Sequence, residues 1–285
     1  IALVLGALAL LTVRPELFGP IADMVLKTPG SQVIALRGWL VIVFGVAGLF
    51  MLIVAIIRRV SIHRGGIAFL IAAVFFLTAG LHGATMYSRG LENPGGLSPD
   101  RGITAASPGD GSITVLQYNT LGGKTTAINI IEVIEANGVD VVTLPETSSE
   151  MGAEIVAELA ARGQNFQQFD TGTSGYEADY DSTVLLISSA LGSYTAADAF
   201  PNGGPSSVRA VSSAGTFPDF VAVHPIAPVS NRSEEWREQI DAVYGLCEAL
   251  PRAVISGDFN STADHQAALG YRDTCTDAVA QGAAG

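Results

Sequence analysis

Five polar residues stand where apolar, strand-like runs end: Asn119 after VLQY, Glu146 after VVTLP, His224 after FVAV, and Asp258 with Asn260 after VISG. Strand ends are rigid, and groups projected from neighbouring strands can converge on one pocket. Singly, each has a plain reading: Asn119 as a turn residue, Glu146 as a helix N-terminal charge, His224 as a surface residue before Pro225, Asp258 as a turn former. Taken together, their types fit one task. A carboxylate such as Glu146 is a hard oxygen ligand suited to Mg²⁺ or Mn²⁺. Asn119 and Asn260 are neutral and can hold phosphate oxygens or a metal-bound water without adding repulsive charge. Asp258 can orient or activate an attacking water, and His224 can stabilise a phosphate or help a leaving group. Cleavage of a phosphate ester needs these parts.

The elements expected to position them alternate between strand and helix. Ile113 to Tyr118 reads as a strand, Thr126 to Ala136 as a helix with Ala127, Ile130, Ile131 and Ile134 on one face, and Val139 to Leu144 as a strand buried on both faces. Ser149 to Arg162 is helical by its Met151, Ile155, Leu159 spacing, and Gly163 stops it. Thr183 to Ser188, Val208 to Ser213 and Asp219 to His224 are strands between Gly/Pro/Ser turns. A helix from Ser233 to Leu250, a strand from Ala253 to Ser256 and a short helix from Thr262 to Leu269 complete the pattern. Periodicity alone implies an α/β or α+β fold.

The first 90 residues differ in kind. They carry seven basic residues and two acids, against eight basic and 25 acidic residues in the remainder, a net of −17 there. Val33 to Ile57 and Ile67 to Tyr87 are apolar runs long enough to cross a bilayer. Ile1 to Val13 is short for a span and reads as the tail of a truncated one. A signal peptide is the competing reading, weakened by the lack of a small-residue cleavage site before Arg14. Arg58, Arg59, His63 and Arg64 crowd one short connection and mark it as cytoplasmic. Everything after Tyr87 is then expected outside, on an extracytoplasmic face of the cell membrane. Leu17 to Leu26 reads either as an interfacial helix or as a packed connector. Arg37 either snorkels to the interface or pairs with a partner helix.

The expected organisation is a membrane anchor at 1–89 with three transmembrane helices, a Gly/Pro/Ser-rich linker at 90–111, and a globular domain at 112–285. The two cysteines, Cys247 and Cys275, both fall in that domain. An oxidising compartment permits a disulfide between them, while Cys247 on the stripe Trp236, Ile240, Val243, Leu250 equally suits a buried free thiol. LGGKTT (121–126) is not a phosphate-binding loop, because the required earlier Gly falls at Tyr118; Lys124 reads as a solvated loop residue.

The segments VLQYNT (115–120), DVVTLPET (140–147), DSTVLLIS (181–188), VAVHPIAP (221–228) followed by SEEWREQI, and ISGDFNST (255–262) together resemble the endonuclease/exonuclease/phosphatase superfamily, which includes deoxyribonuclease I, abasic-site endonucleases, sphingomyelinases and inositol-phosphate phosphatases. GDFN after an apolar strand is the most specific match. The resemblance implies a four-layer α/β/β/α sandwich, Mg²⁺ or Mn²⁺ as cofactor, Glu146 as principal metal ligand with Asn119 beside it, Asp258 and Asn260 at the water and phosphate, and His224 at the phosphate or leaving group. The family also ends in a Ser-Asp-His motif on a late strand. Nothing after Asn260 matches it: Asp264-His265 comes too soon after GDFN, inside the expected helix. With no initiating Met and QGAAG at the end, the chain reads as truncated at both ends.

A strongly acidic domain argues against nucleic acid as the bound partner, since phosphate-backbone binding draws on basic surface. A membrane anchor concentrates the site near lipid-linked phosphates in the bilayer. The sequence also resembles an actinobacterial membrane-anchored branch of the superfamily, some of whose members are associated with lipid-carrier pyrophosphate hydrolysis. The expected function is an extracytoplasmic phosphodiesterase or phosphatase. The alternatives are a non-catalytic accessory subunit of a membrane protein complex and an extracellular nuclease.

Overall fold

A computed structural model describes residues 2–90, 112–172, 179–201 and 203–278. The expected linker, apart from Gly90, lies outside the described residues. The chain divides into two compact units. One comprises residues 1–94, 228–237 and 261–285; the other comprises 95–227 and 238–260.

The N-terminal elements are α1 (Ala2–Leu11), α2 (Gly19–Val25), α3 (Gly30–Ala35), α4 (Arg37–Ile62) and α5 (Gly66–Ser88). At a rise of about 1.5 Å per residue, α4 and α5 are roughly 39 and 35 Å long, sufficient for a hydrocarbon core of about 30 Å. Three spans were expected; among the described residues two helices, α4 and α5, are long and apolar enough. The ten described residues of α1 reach about 15 Å. The expected start at Val33 also moves. Val33 belongs to the separate helix α3, whose Ile34 is buried with Ile21 and Val25 of α2, and α4 begins at Arg37. It runs on through Arg58 and Arg59 to a left-handed His63 (φ 54°). The outer face of α2 and its approach stays uncovered at Leu17, Phe18 and Met24.

In the second unit two four-stranded sheets form. The elements are β1 (Val115–Gln117), α6 (Ala127–Asn137), β2 (Val141–Pro145), α7 (Ser149–Ala161), β3 (Phe166–Asp170), β4 (Thr183–Ser188), β5 (Tyr194–Ala197), β6 (Ser206–Ser212), β7 (Asp219–His224), α8 (Ser233–Ala249, whose first turns belong to the other unit) and β8 (Ala253–Gly257). The sheet orders are β1-β2-β4-β3 and β5-β6-β7-β8. Period-2 alternation divides each strand between two cores. From β2 and β4, Val142, Leu144, Val184 and Leu186 pack with Ile130, Ile131, Ile134, Ile155 and Leu159 of α6 and α7. Val141, Leu185 and Ile187 turn the other way, against Tyr194, Val208, Ala210, Phe220 and Ala222 of the second sheet. Val221, Val223 and Ile255 face Val243 and Leu246 of α8. The succession is helix, sheet, sheet, helix.

Two strands escape the sequence pattern. β3 (FQQFD) and β5 (YTAA) are edge strands, each paired on one side only. With less surface to bury, neither needs an apolar run.

The last described helix, α9 (Ala263–Ala268), belongs to the first unit. Asp264 on it is 2% exposed and receives two arginines side-on. Arg37 donates Nε–H to Oδ2 (3.0 Å) and Nη2–H to Oδ1 (2.5 Å), and Arg89 donates Nη1–H to Oδ2 (3.1 Å) and Nη2–H to Oδ1 (2.7 Å). Arg37 therefore neither snorkels to water nor seeks a partner helix; its counter-charge comes from its own chain. Its Nη1 also meets His82 Nδ1 at 2.8 Å, and His82 Nε2 lies 3.1 Å from Thr12 Oγ1. His265 donates from Nε2 to the Ser31 carbonyl (3.1 Å) and accepts the Thr262 N–H at Nδ1 (2.9 Å), closing a capping box at the start of α9. As the sequence suggested, Asp264 and His265 lie in a helix after GDFN, and both are engaged in packing. Neither Cys247 nor Cys275 is a free thiol.

Candidate active site

β1 and β2 run parallel, as do β7 and β8. Each pair therefore sends two strand ends in one direction. Asn119 follows β1, Glu146 follows β2, His224 closes β7, and Asp258 with Asn260 follow β8. The two sheets are stitched at this level by Thr143 of β2 and Ser256 of β8, whose hydroxyls are 2.5 Å apart.

All five residues singled out in the sequence join one chain of contacts. Asn119 donates from Nδ2 to Glu146 Oε1 (2.8 Å) and to Asp258 Oδ2 (3.1 Å), so a residue of one sheet bridges carboxylates from both. Its Oδ1 accepts the Leu121 N–H at 2.8 Å, which fixes the amide's orientation. His224 Nε2 stands 3.7 Å from Glu146 Oε1. Asp258 Oδ1 accepts the Asn260 N–H (2.9 Å), and Asn260 Nδ2 donates to the Pro225 carbonyl (2.9 Å), tying the GDFN turn to the end of β7.

Glu146 is the focus of the site's polarity. Its Oε2 is buried and has no hydrogen-bond partner, an arrangement that disfavours folding by roughly 1–3 kcal/mol unless a cation or water engages it. Among the described residues no three His, Cys, Asp or Glu side chains cluster in the manner of a metal-holding group. That absence weighs little for a hard cation. Mg²⁺ keeps several waters and is held by one or two carboxylates, which Glu146 and Asp258 supply. Asn119 orients both carboxylates through Nδ2, while its Oδ1 accepts the Leu121 N–H on the other side of the amide.

Backbone strain collects in the same place. Glu146 (φ 55°), Asn260 (φ 46°) and Leu121 (φ 55°) are three of the four non-glycine residues with positive φ among those described. Such conformations cost of order 1–3 kcal/mol each and persist where surrounding bonds over-determine them. Here the bonds are visible. Thr120, fully buried, donates its hydroxyl to the Glu146 carbonyl (2.6 Å) and accepts the Gly123 N–H (3.2 Å). Sequence reading passed over Thr120 and Gly257. Gly257 (φ 147°) directly precedes Asp258, and a Cβ there would collide with the Val223 carbonyl of β7. Their signal lay in the threonine of YNT and the glycine of GDFN.

A search of protein families matches residues 116–273 to one described as the Endonuclease/Exonuclease/phosphatase family. No curated protein matches the chain. Similar solved structures include a humanized D. rerio TDP2 carrying 14 mutations, at 17% identity and a TM-score of 0.42 over 55% of this chain and 66% of that one. D. rerio TDP2 complexed with a single-strand DNA product gives 19% identity and 0.41 over 55% and 64%. The chain thus spans just under two-thirds of the length of either.

Proposed function

We propose that this chain, which belongs to the endonuclease/exonuclease/phosphatase family, is a membrane-anchored, extracytoplasmic phosphodiesterase or phosphatase acting on a lipid-linked or envelope phosphate ester. The observation that carries the reading is Asn119 bridging Glu146 and Asp258 while the buried Glu146 Oε2 stands without a partner.

Glu146 and Asp258 would hold a divalent cation, Mg²⁺ or Mn²⁺, which when bound supplies positive charge against the phosphate oxygens. The remaining work falls to the chain's own groups. Asp258, oriented by Asn119 and by the Asn260 N–H, accepts the proton of the attacking water as its oxygen bonds to phosphorus. His224, beside Glu146, gives a proton to the departing ester oxygen as the phosphorus–oxygen bond breaks. Asn260, held against Pro225, fixes the turn that carries Asp258.

Several observations support the location. Only 11% and 28% of the most apolar stretches of α4 and α5 are buried, whereas a core helix of a soluble protein is mostly covered. Arg58, Arg59, His63 and Arg64 at their junction are exposed, which suits a cytoplasmic loop. The absence of a free thiol at Cys247 or Cys275 suits an oxidising compartment. An acidic catalytic region, in a chain of net charge −12, disfavours a polyanionic nucleic acid.

The test is turnover by the full chain in nanodiscs with Mg²⁺, on alkyl phosphates, a bis-aryl phosphodiester and single-stranded DNA. Glu146→Ala and Asp258→Ala should each lower kcat/KM by roughly 10²-fold or more. Undiminished activity in both variants would show that the roles are misassigned, and a preference for DNA would replace the lipid reading with a nuclease.

A further inference from the structure

Beside the carboxylates lies a feature that hydrolysis itself does not need. Residues 121–123 follow Asn119 in three successive left-handed conformations, with φ of 55°, 65° and 73°. Gly122 and Gly123 adopt this freely; Leu121 does not, because its Cβ crowds the backbone. Nor does the strain bury anything, since Leu121 remains 54% exposed. The loop is not loose either. Leu121 N–H is bound to Asn119 Oδ1 (2.8 Å), Gly123 N–H to Thr120 Oγ1 (3.2 Å), and Lys124 N–H to the Thr120 carbonyl (3.0 Å). A strained aliphatic side chain is thus held rigidly towards solvent, one hydrogen bond from the site.

Its neighbour matches it in character. The Tyr180 ring lies so close over Gly122 that a Cβ there would be 2.6 Å from Cζ. Yet Tyr180 is itself 51% exposed. Asp181, the next residue, is also exposed and sets a negative charge beside this rim, which repels a further phosphate and tolerates a neutral chain. Isolated exposed apolar residues such as Ile128 and Val133 elsewhere in the unit are ordinary. Leu121 and Tyr180 differ in being joined through one rigid loop to Asn119.

We infer that Leu121 and Tyr180 form an apolar rim that receives the alkyl part of the phosphate ester, making them specificity-determining residues for an aliphatic, amphiphilic phosphate. This rests on the reading of Asn119, Glu146 and Asp258 as a phosphate-ester site. An alkyl chain gains by removing Leu121 and the ring face from water, at about 25 cal/mol per Å² of apolar surface. A small phosphate gains nothing from the rim.

The probes are n-hexylphosphonate and methylphosphonate, whose carbon–phosphorus bonds resist hydrolysis, titrated calorimetrically into the full chain in nanodiscs with Mg²⁺ and corrected against empty nanodiscs. The wild type should bind the hexyl probe about tenfold more tightly, a margin typical of a small apolar contact. Leu121→Asn, a residue at home at positive φ, should bring the two affinities within about twofold with the fold unchanged, and Tyr180→Ser should do likewise. Glu146→Gln should weaken both probes alike and keep their ratio. Equal binding of the probes by the wild type, or a ratio unmoved by Leu121→Asn and Tyr180→Ser, overturns the rim. Unchanged affinities in Glu146→Gln with the ratio still rim-dependent would instead fault the catalytic assignment alone, and no binding of either probe overturns both.

Discussion

Asn119 stands between Glu146 and Asp258, its amide nitrogen 2.8 Å from one carboxylate and 3.1 Å from the other. The contact holds two like charges in register without a third charge of its own. Asn119→Leu, close in size, removes both hydrogen bonds and leaves acceptors facing each other. Its melting free energy should fall by about 1–3 kcal/mol without divalent cation. The deficit should narrow as Mg²⁺ is titrated in, because the two carboxylates that lost the amide between them gain more from a bound cation than the wild-type pair does, and tighter binding stabilises the native state more. A deficit independent of Mg²⁺ would separate Asn119 from the metal site.

Asn260 permits backbone and side chain to be tested apart. At φ 46° glycine fits without strain and alanine does not. Asn260→Gly should retain wild-type stability to within about 1 kcal/mol yet lose activity, as its amide no longer grips the Pro225 carbonyl. Asn260→Ala should lose both, with an added destabilisation of about 1 kcal/mol. Paired melting curves and kcat measurements distinguish the two.

Gly257→Ala addresses the approach of β8 to β7. The added methyl meets the Val223 carbonyl, part of the backbone, which cannot turn aside as a side chain would. A loss of roughly 3 kcal/mol or more is expected, visible as proteolysis of the 253–260 segment. A stable, fully active Gly257→Ala protein would contradict the strand register.

Asp264→Ala leaves Arg37 and Arg89 facing each other with their counter-ion gone. Breaking a buried pair from one side typically destabilises by 3–5 kcal/mol, and this change should fall within that range by thermal melting in detergent. Asp264→Glu should recover less than half of it, since the two-sided grip depends on reach.

Two groups make the stability of this unit pH-dependent. Burial pushes the Asp264 carboxyl up, but hydrogen bonds from Arg89 and Arg37 outweigh it and hold the group below its ordinary value. Burial lowers His265, against smaller opposing effects of the Ser31 carbonyl and Asp264. Both groups bind protons less readily when folded, so stability falls as pH falls. The His265 contribution is complete above about pH 6.5 and declines below it; that of Asp264 is lost only below about pH 3.9. In melting profiles His265→Gln should flatten the slope beginning near pH 6.5. An unchanged slope would place that titration elsewhere.

The extent of what could be read from sequence follows from burial. Thr183–Ser188 and Asp219–His224 are strands with the bounds that their apolar runs suggested, because each lies inside a sheet and must be apolar to do so. Edge strands β3 and β5 face no such demand and carry no such pattern. The five site residues were legible because each stands at or just after the end of an apolar run, those of β1, β2, β7 and β8. The rim at Leu121 was not, since its exposure and left-handed φ have no periodic signature. Nor was the return of residues 261–278 to the N-terminal unit, because an isolated Asp264 and a distant Arg37 look unrelated until folding joins them.

That junction also imposes a timetable on synthesis. Arg37 and its acid are separated by 227 residues, and Arg89 by 175, so both guanidiniums leave the ribosome long before their carboxylate exists. Every intervening strand is made first, and with N-terminal parts emerging first the two-sheet unit has its chance to assemble while the N-terminal unit still lacks its counter-ion. A chain that stalls short of residue 264 carries two guanidiniums, at the ends of its longest described helices, without the carboxylate that both grip in the finished fold.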